Sequence, residues 1–405
     1  MKIIVQKFGG SSVKDAPSRA QALQHVQYAV QQNQKVVVVV SAIRQPGAPY
    51  STDALLDLVD NTTTKLSKRE LDMLVSVGEI ISATVFAEAA RKLGLTATAL
   101  SGREAGILTN SDFQNAKVLK VDPTRILRAL KEVDVVVVAG FQGADPTGEV
   151  TTLGRGGSDV SAAILAAALK VPVDIFSDVD GIMTADPQLV KQARCIKTIG
   201  YEELANLAHN GARVIHPRAV EVAKQANLTM RIRATYQQPN ELGTLVCQSE
   251  ATISHYRTVT GITDQENLTQ FSVHTQNLSA GQIFQLLASK GLSVDFININ
   301  GQQVIFNLPE KDLLLAKKNL TAAHADFSVL TNCAKVAIVG AGIAGTPGIT
   351  ARIVNTLAKQ NIKILQSADS YTTIWVLIQQ LDLRNALNAL HDEFMRSHQF
   401  SVATQ

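Results

Sequence analysis

The sequence predicts an α/β domain with a mainly parallel sheet over residues 1–245, followed by two copies of a βαββαβ unit. Three observations predict it. Apolar runs rich in valine, Val36–Val40 and Val135–Ala139, have the composition of strands buried on both faces. Glycine and hydroxyl clusters stand directly after such runs, at the carboxyl ends where ligands bind in open α/β sheets. In the C-terminal part, Ile283, Leu287, Val304, Phe306 and Leu308 recur 70 residues later as Ile353, Leu357, Ile374, Val376 and Ile378.

Ile3–Gln6 is the first expected strand, and Lys7-Phe8-Gly9-Gly10-Ser11-Ser12 follows it at once. Glycines at a strand's carboxyl end, with a lysine and two hydroxyls, form a phosphate cradle. The spacing is not that of a P-loop, and a plain strand and turn has the same pattern. A helix over 20–32 leads to the strand Val36–Val40, which ends at Ser41-Ala42. Residues 43–52 are rich in Pro, Gly and hydroxyls, as in a lid or substrate loop. Ser67 and Glu70 form a capping box that opens the next helix. Within it Gly78 weakens the helix beside Glu79, a carboxylate that faces either a site or water. Thr96–Leu100 and Val135–Phe141 are further strands, the second running into Gly140-Phe141-Gln142-Gly143.

The stretch 151–187 packs a glycine-rich turn, a helix, a buried strand and an acidic loop together. Gly154, Gly156 and Gly157 surround Arg155 and allow close approach of a bound group. Ser158 and Asp159 are expected to cap the Ala- and Leu-rich helix that follows, whose N-terminus favours an anion. The strand Val173–Phe176 then delivers Ser177, Asp178, Asp180 and Asp186. Such a set suits anions and a metal-bound phosphate. Helices over 201–210 and 218–225 and a last strand over 228–233 complete the domain. Arg213 is a phosphate contact or a solvated cation, and His216 before Pro217 is structural.

Composition bounds the rest. A chain of 405 residues that is 46% hydrophobic can bury two or three cores. A net charge of +3 without a basic block gives no nucleic-acid footprint. Cys195, Cys247 and Cys333 are too scattered for a disulfide or metal framework, which fits a reduced, cytoplasmic protein. No apolar run is long enough to span a membrane, and the N-terminus is not a signal peptide. Gly340, Gly342 and Gly345 fit the dinucleotide fingerprint, but the 70-residue repeat already accounts for that segment. No nucleophile–base pair lies in the C-terminal half, which points to binding and regulation there.

KFGGSSV at 7–13, the VVVVVSA strand, SVGE at 76–79, GRGGSDVSA at 154–162, FSDVDGIMTADP at 176–187 and GARVIHPRAVEVA at 211–223 together resemble the aspartokinases of the amino-acid kinase superfamily. The C-terminal repeat is similar to that family's tandem ACT domains. The resemblance implies a three-layer αβα, carbamate-kinase-like catalytic domain over 1–245 and a linker over 246–260. Two ferredoxin-like α+β ACT domains would follow, over 261–332 and 333–405. It implies ATP- and Mg2+-dependent phosphorylation of the L-aspartate side chain to 4-phospho-L-aspartate, the first step toward lysine and diaminopimelate, threonine and methionine. Lys7, with the amides of Gly9 and Gly10, would stabilise the transferring phosphoryl group, and Asp159 would orient Lys7. Arg155 would hold the α-carboxylate and Glu79 the α-ammonium of aspartate, with Ser41, Thr52, Gly156, Gly157 and Ser158 as further contacts. Phe8, Ser177, Asp178, Met183, Gln188 and Arg213 would lie along ATP, although many relatives carry Arg and Lys at the last two positions. An amino-acid effector (meso-diaminopimelate, lysine or threonine) would meet Asn298, Gly345, Ile364, Gln366 and Ser367, and the ACT domains would pair across a homo-oligomer. A glutamate or acetylglutamate kinase would share the central stretch but not SVGE or the ACT pair. A catalytically dead sensor would have lost Lys7, Arg155 or Asp159.

Overall fold

The computed structural model describes residues 1–45, 47–60, 63–212, 214–248, 258–343 and 346–396, so Arg213 and Gly345 lie outside the described residues. The chain divides into two compact units. Within the described residues, one holds 1–183, 195–208 and 214–248, and the other holds 184–194, 209–212 and 258–396.

The first unit begins with β1 (Lys2–Phe8), α1 (Ala16–Gln31), β2 (Gln34–Val40), α2 (Thr52–Asp57), α3 (Lys68–Val75), α4 (Val77–Lys92) and β3 (Ala97–Leu100). It continues with β4 (Ile107–Thr109), β5 (Val118–Val121), α5 (Thr124–Ala129), β6 (Val135–Ala139), β7 (Gln142–Ala144), β8 (Val150–Thr152), α6 (Gly157–Leu169) and β9 (Val173–Ser177). The last elements are β10 (Thr198–Gly200), α7 (Tyr201–His209), α8 (Pro217–Gln225), β11 (Met230–Ala234) and β12 (Thr244–Cys247). Eight strands form one sheet in the order β10-β12-β11-β9-β1-β2-β6-β3. Every pair in it is parallel except β11 with β12. Val36, Val38 and Val40 of β2 pack with Leu23 and Val26 of α1 and with Ala83 and Phe86 of α4. Val37 and Val39 point to the opposite face, where α6 lies against β1, β2 and β9, and they are buried as well. Burial on both faces explains the unbroken valine run and gives three layers.

Two expectations needed correction. Val135–Phe141 is not one strand. It ends at Ala139, and Phe141 adopts a positive φ of 69° that turns the chain into a second, four-stranded sheet, β5-β4-β7-β8. The helix after the glycine turn is not capped by Ser158 or Asp159. Gly156, at φ 70°, is its N-cap, and both residues lie inside the first turn. The capping box of Ser67 and Glu70 is present and starts α3. Lys68–Lys92 reaches the length and mean hydropathy, 1.5, of a membrane span, but 50% of that window is buried, with α4 against β3 and β6.

The second unit contains β13 (Gly261–His274), α9 (Ala280–Ser289), β14 (Asp295–Ile299), β15 (Gln303–Pro309) and α10 (Leu313–Ala322). Then follow β16 (Phe327–Val339), α11 (Ile349–Lys359), β17 (Gln366–Asp369), β18 (Thr373–Gln379) and α12 (Leu383–His391). Six strands make one antiparallel sheet, β14-β15-β13-β16-β18-β17. The two repeat copies share its central strands. Leu268–Val273 of β13 pairs with Cys333–Phe327 of β16 in the first copy, whereas Gly261–Gln265 pairs with Val339–Lys335 as the outer strand of the second. A boundary between 332 and 333 therefore falls inside one continuous strand.

Gly211 of this unit carries a specific constraint. Its φ is +119°, and a Cβ there would lie 1.8 Å from the Asp264 carbonyl oxygen. Gly211→Ala is expected to lower stability by roughly 2–4 kcal/mol, read from the chemical denaturation midpoint. Gly291→Ala, with positive φ but open space around it, should cost less. Equal losses would mean that overlap with Asp264 is not the cause.

Candidate active site

The parallel register brings Lys7 level with Val39 and Ile175, so β1, β2 and β9 end together. The carboxyl ends of β1 and β2 and the N-terminus of α6 border a cavity of about 370 Å³. Lys7, Gly10, Ser41, Thr52, Glu79, Arg155, Gly156, Gly157, Ser158 and Asp159 line it, ten residues singled out from the sequence. Arg44 and Ser51, from the loop 43–52 read as a lid or substrate loop, line it as well, together with Asp53 and Phe141, which had not been singled out for the site.

Lys7 Nζ stands 2.6 Å from Asp159 Oδ1, with both side chains only 12% exposed. The contact is one of charge, because Oδ1 has no aligned hydrogen bond. Asp159 Oδ2 accepts the backbone N–H of His216 at 3.2 Å. The carboxylate is thereby fixed from one side and holds the ammonium from the other. No side chain caps α6, so the positive end of its helix dipole and the amides of Ser158 and Asp159 are left for an anion.

Glu79 is 3% exposed. Its Oε1 accepts the Ala42 amide at 3.0 Å, while Oε2 is buried without a partner. Burial raises its pKa from 4.5 to about 8, opposed by hydrogen bonds from the Ala42 amide and from its own backbone amide. A carboxyl group so placed is incomplete until a donor enters the cavity. Arg155 provides the opposite feature, an exposed guanidinium on the cavity wall that no described residue engages.

The loop that carries Arg155 is tightly specified. A Cβ on Gly156 would lie 2.2 Å from the His216 ring, so only glycine fits between the turn and α8. His216 is a structural residue, since its Nδ1 caps α8 by accepting the Arg218 amide at 3.4 Å. Asp72, fully buried, accepts from the Gln114 and Thr152 amides and from the Thr152 hydroxyl, fixing the strand that leads into the turn. Burial raises its pKa against those bonds. A carboxylate in an amphipathic helix gave no sequence signal for this role.

The residues expected along ATP are placed less uniformly. Phe8 is a core side chain, stacked 4.6 Å from Phe176 and 5.6 Å from Phe86, so only its backbone is available to a nucleotide. Ser177, at the end of β9, donates to Asp178 Oδ1 at 3.1 Å, and its carbonyl accepts the Thr235 amide. Asp180 accepts from the Tyr236 hydroxyl and from Gln237 Nε2, and this pushes the Tyr236 phenol up to about 12. Met183 forms an isolated bridge with Cys195. Gln188 is exposed and belongs to the second unit. Gly9, Ser177, Asp178, Met183 and Gln188 do not line the cavity. Among the described residues no group of three His, Cys, Asp or Glu is set to hold a metal ion.

In the second unit, Asn298 is exposed on the outer strand β14, and Ser367 is exposed on the outer strand β17. Ile364 packs against the core of the second copy. Gln366 is already engaged, donating to the Phe296 carbonyl and accepting from Gln270 Nε2 at 2.8 Å. The strand before Gly340 is central in an antiparallel sheet, which is not the βαβ setting of a dinucleotide fingerprint.

Comparison with known proteins agrees with this architecture. Residues 2–234 match the amino acid kinase family and residues 328–392 an ACT domain. Aspartokinase 1 of Bacillus subtilis is 46% identical over 403 residues, covering 97% of this chain and 99% of the relative. The aspartokinase of Geobacillus stearothermophilus is 40% identical, covering 97% of both chains. Aspartokinase III of E. coli, solved in complex with aspartate and ADP, superposes with a TM-score of 0.78 at 26% identity over 97% of this chain and 100% of the other. The chain thus belongs to the amino acid kinase family, and within it to the aspartokinases.

Proposed function

We propose that this aspartokinase binds L-aspartate in the 370 Å³ cavity and phosphorylates its side-chain carboxylate from ATP, giving 4-phospho-L-aspartate and ADP. The observation that carries the assignment is the cavity's polarity. It has an open guanidinium at Arg155, a buried carboxyl short of a donor at Glu79, and the Lys7–Asp159 pair. An α-amino acid presents the complement, a carboxylate for Arg155 and an ammonium for Glu79. Ser41, Thr52 and Ser158 supply hydroxyls on the same wall. Aspartate so held points its second carboxylate toward Lys7.

That carboxylate has an ordinary pKa near 3.9 and is ionised at neutral pH, so the attack needs no general base. The remaining barrier is charge on the transferring group and alignment. Lys7 and the first-turn amides of α6 face that charge, and Asp159 keeps the lysine in place. Magnesium would be brought on the ATP phosphates, with Asp178 as the exposed carboxylate near the end of β9.

The ACT-bearing unit supports control by an amino acid, and E. coli aspartokinase III has been solved with lysine and aspartate. In this chain the effector would be meso-diaminopimelate, lysine or threonine, bound near the outer strands β14 and β17 of a homo-oligomer. The product would feed lysine, diaminopimelate, threonine and methionine synthesis. Three free thiols suit a cytoplasmic enzyme. The test is acyl phosphate formation trapped with hydroxylamine, with ATP and magnesium present and aspartate and glutamate compared. Hydroxamate from aspartate alone is expected, and the amino acid that suppresses it identifies the effector. Product from glutamate instead, or from neither, would remove the assignment.

A further inference from the structure

The turn that carries Arg155 lies between Gly154 and Gly156, both at φ 70°. Two left-handed glycines make a hinge with more backbone freedom than any other pair of residues. The Arg155 side chain is exposed and touches no described partner, so nothing at its guanidinium end fixes its aim. The backbone is fixed instead. Arg218, in the first turn of α8, sends Nη2 to the Leu153 carbonyl at 2.5 Å and to the Arg155 carbonyl at 2.8 Å. One guanidinium nitrogen thus bridges the two sides of the first hinge glycine. The His216 ring closes on the second, leaving no room for a Cβ at Gly156. The segment that begins α8 therefore grips the turn on both sides.

We infer that Arg218 is a positioning residue for aspartate binding, acting by clamping the glycine turn so that Arg155 is presented to the α-carboxylate in one orientation. The inference rests on the assignment of Arg155 to that carboxylate. Its physical basis is entropy. Without the clamp, the hinge samples several conformations, and substrate binding must select one of them. Lysine keeps the charge and has donors enough for both carbonyls, but its ammonium is not held at the Nη2 position by a planar guanidinium, so it restores the clamp only in part.

The test uses the full chain and hydroxamate trapping, with KM for aspartate and for ATP measured in Arg218→Met, Arg155→Ala and the double variant. Arg218→Met should raise KM for aspartate roughly ten- to a hundredfold and leave KM for ATP within about twofold. Arg218→Lys should fall between it and the wild type, with an unchanged unfolding midpoint as the check on folding. In the Arg155→Ala background, Arg218→Met should add almost nothing to KM for aspartate, because the two act through one contact. Additive effects, or equal rises in both KM values, would assign Arg218 to general stability and overturn the inference. Were Arg155→Ala alone to leave KM for aspartate unchanged while hydroxamate still formed, the assignment of Arg155 would fail, and the role of Arg218 with it.

Discussion

Replacing Lys7 with methionine is expected to lower kcat for aspartyl phosphate formation by about two to three orders of magnitude. Two effects act in the same direction. The ammonium proposed to face the transferring phosphoryl group is lost. Asp159, only 12% exposed and previously 2.6 Å from that ammonium, is left as an uncompensated anion beside a polyanionic substrate. Lys7→Met together with Asp159→Asn should therefore recover part of the loss, which separates repulsion from missing attraction. The melting temperature of the single variant serves as a control. A kcat within tenfold of the wild type would assign the phosphoryl contact to another cation, with Arg44 on the cavity wall the first to examine.

A pH dependence should be nearly as large, and it appears in KM for aspartate. Burial raises the Glu79 carboxyl to about 8, so it is largely protonated below that pH. Only the ionised form pairs with an ammonium, so binding below that pH must first release the proton. The sign follows directly. Each pH unit below 8 should raise KM for aspartate by about tenfold, equivalent to about 1.4 kcal/mol, and the curve should flatten above it. Glu79→Gln should show a high KM with no slope between pH 6.5 and 8.5. Proton release on aspartate binding, measured by calorimetry in buffers of different ionisation enthalpy, offers an independent reading. A flat KM profile for the wild type would mean that Glu79 does not meet the ammonium.

Much of this was legible in the sequence. Unbroken valine runs announced strands covered on both faces, and the glycine clusters marked their ligand-bearing ends. Arg155 could be singled out because three glycines surround it, whereas the site roles of Lys7 and Asp159 came with the family resemblance, since a plain turn and a helix cap have the same local pattern. Other contributions left no local trace. Arg218 acts on residues 65 and 63 positions away, and Asp72 on Thr152 80 positions away. Neither stands next to a glycine or a second charge. Phe8 is the opposite case, since it sits inside a ligand-binding motif while its ring serves the core and only its backbone is left for a ligand. The small sheet β5-β4-β7-β8 was missed because its strands are only three or four residues long, below the length at which alternation becomes visible.

The strands β13 and β16 each serve both repeat copies, and this has a consequence for how the regulatory half can be divided. Residues 261–265 complete the sheet of the second copy, yet they precede the first copy in the chain. A fragment beginning at residue 328 would carry every helix of the second copy but leave Lys335–Val339 with a bare backbone edge. Such an edge recruits other chains. The second copy is therefore not separable: no continuous segment that leaves out the first copy carries all of its strands, and rearrangement of one copy is felt through the covalent continuation of its own strands in the other.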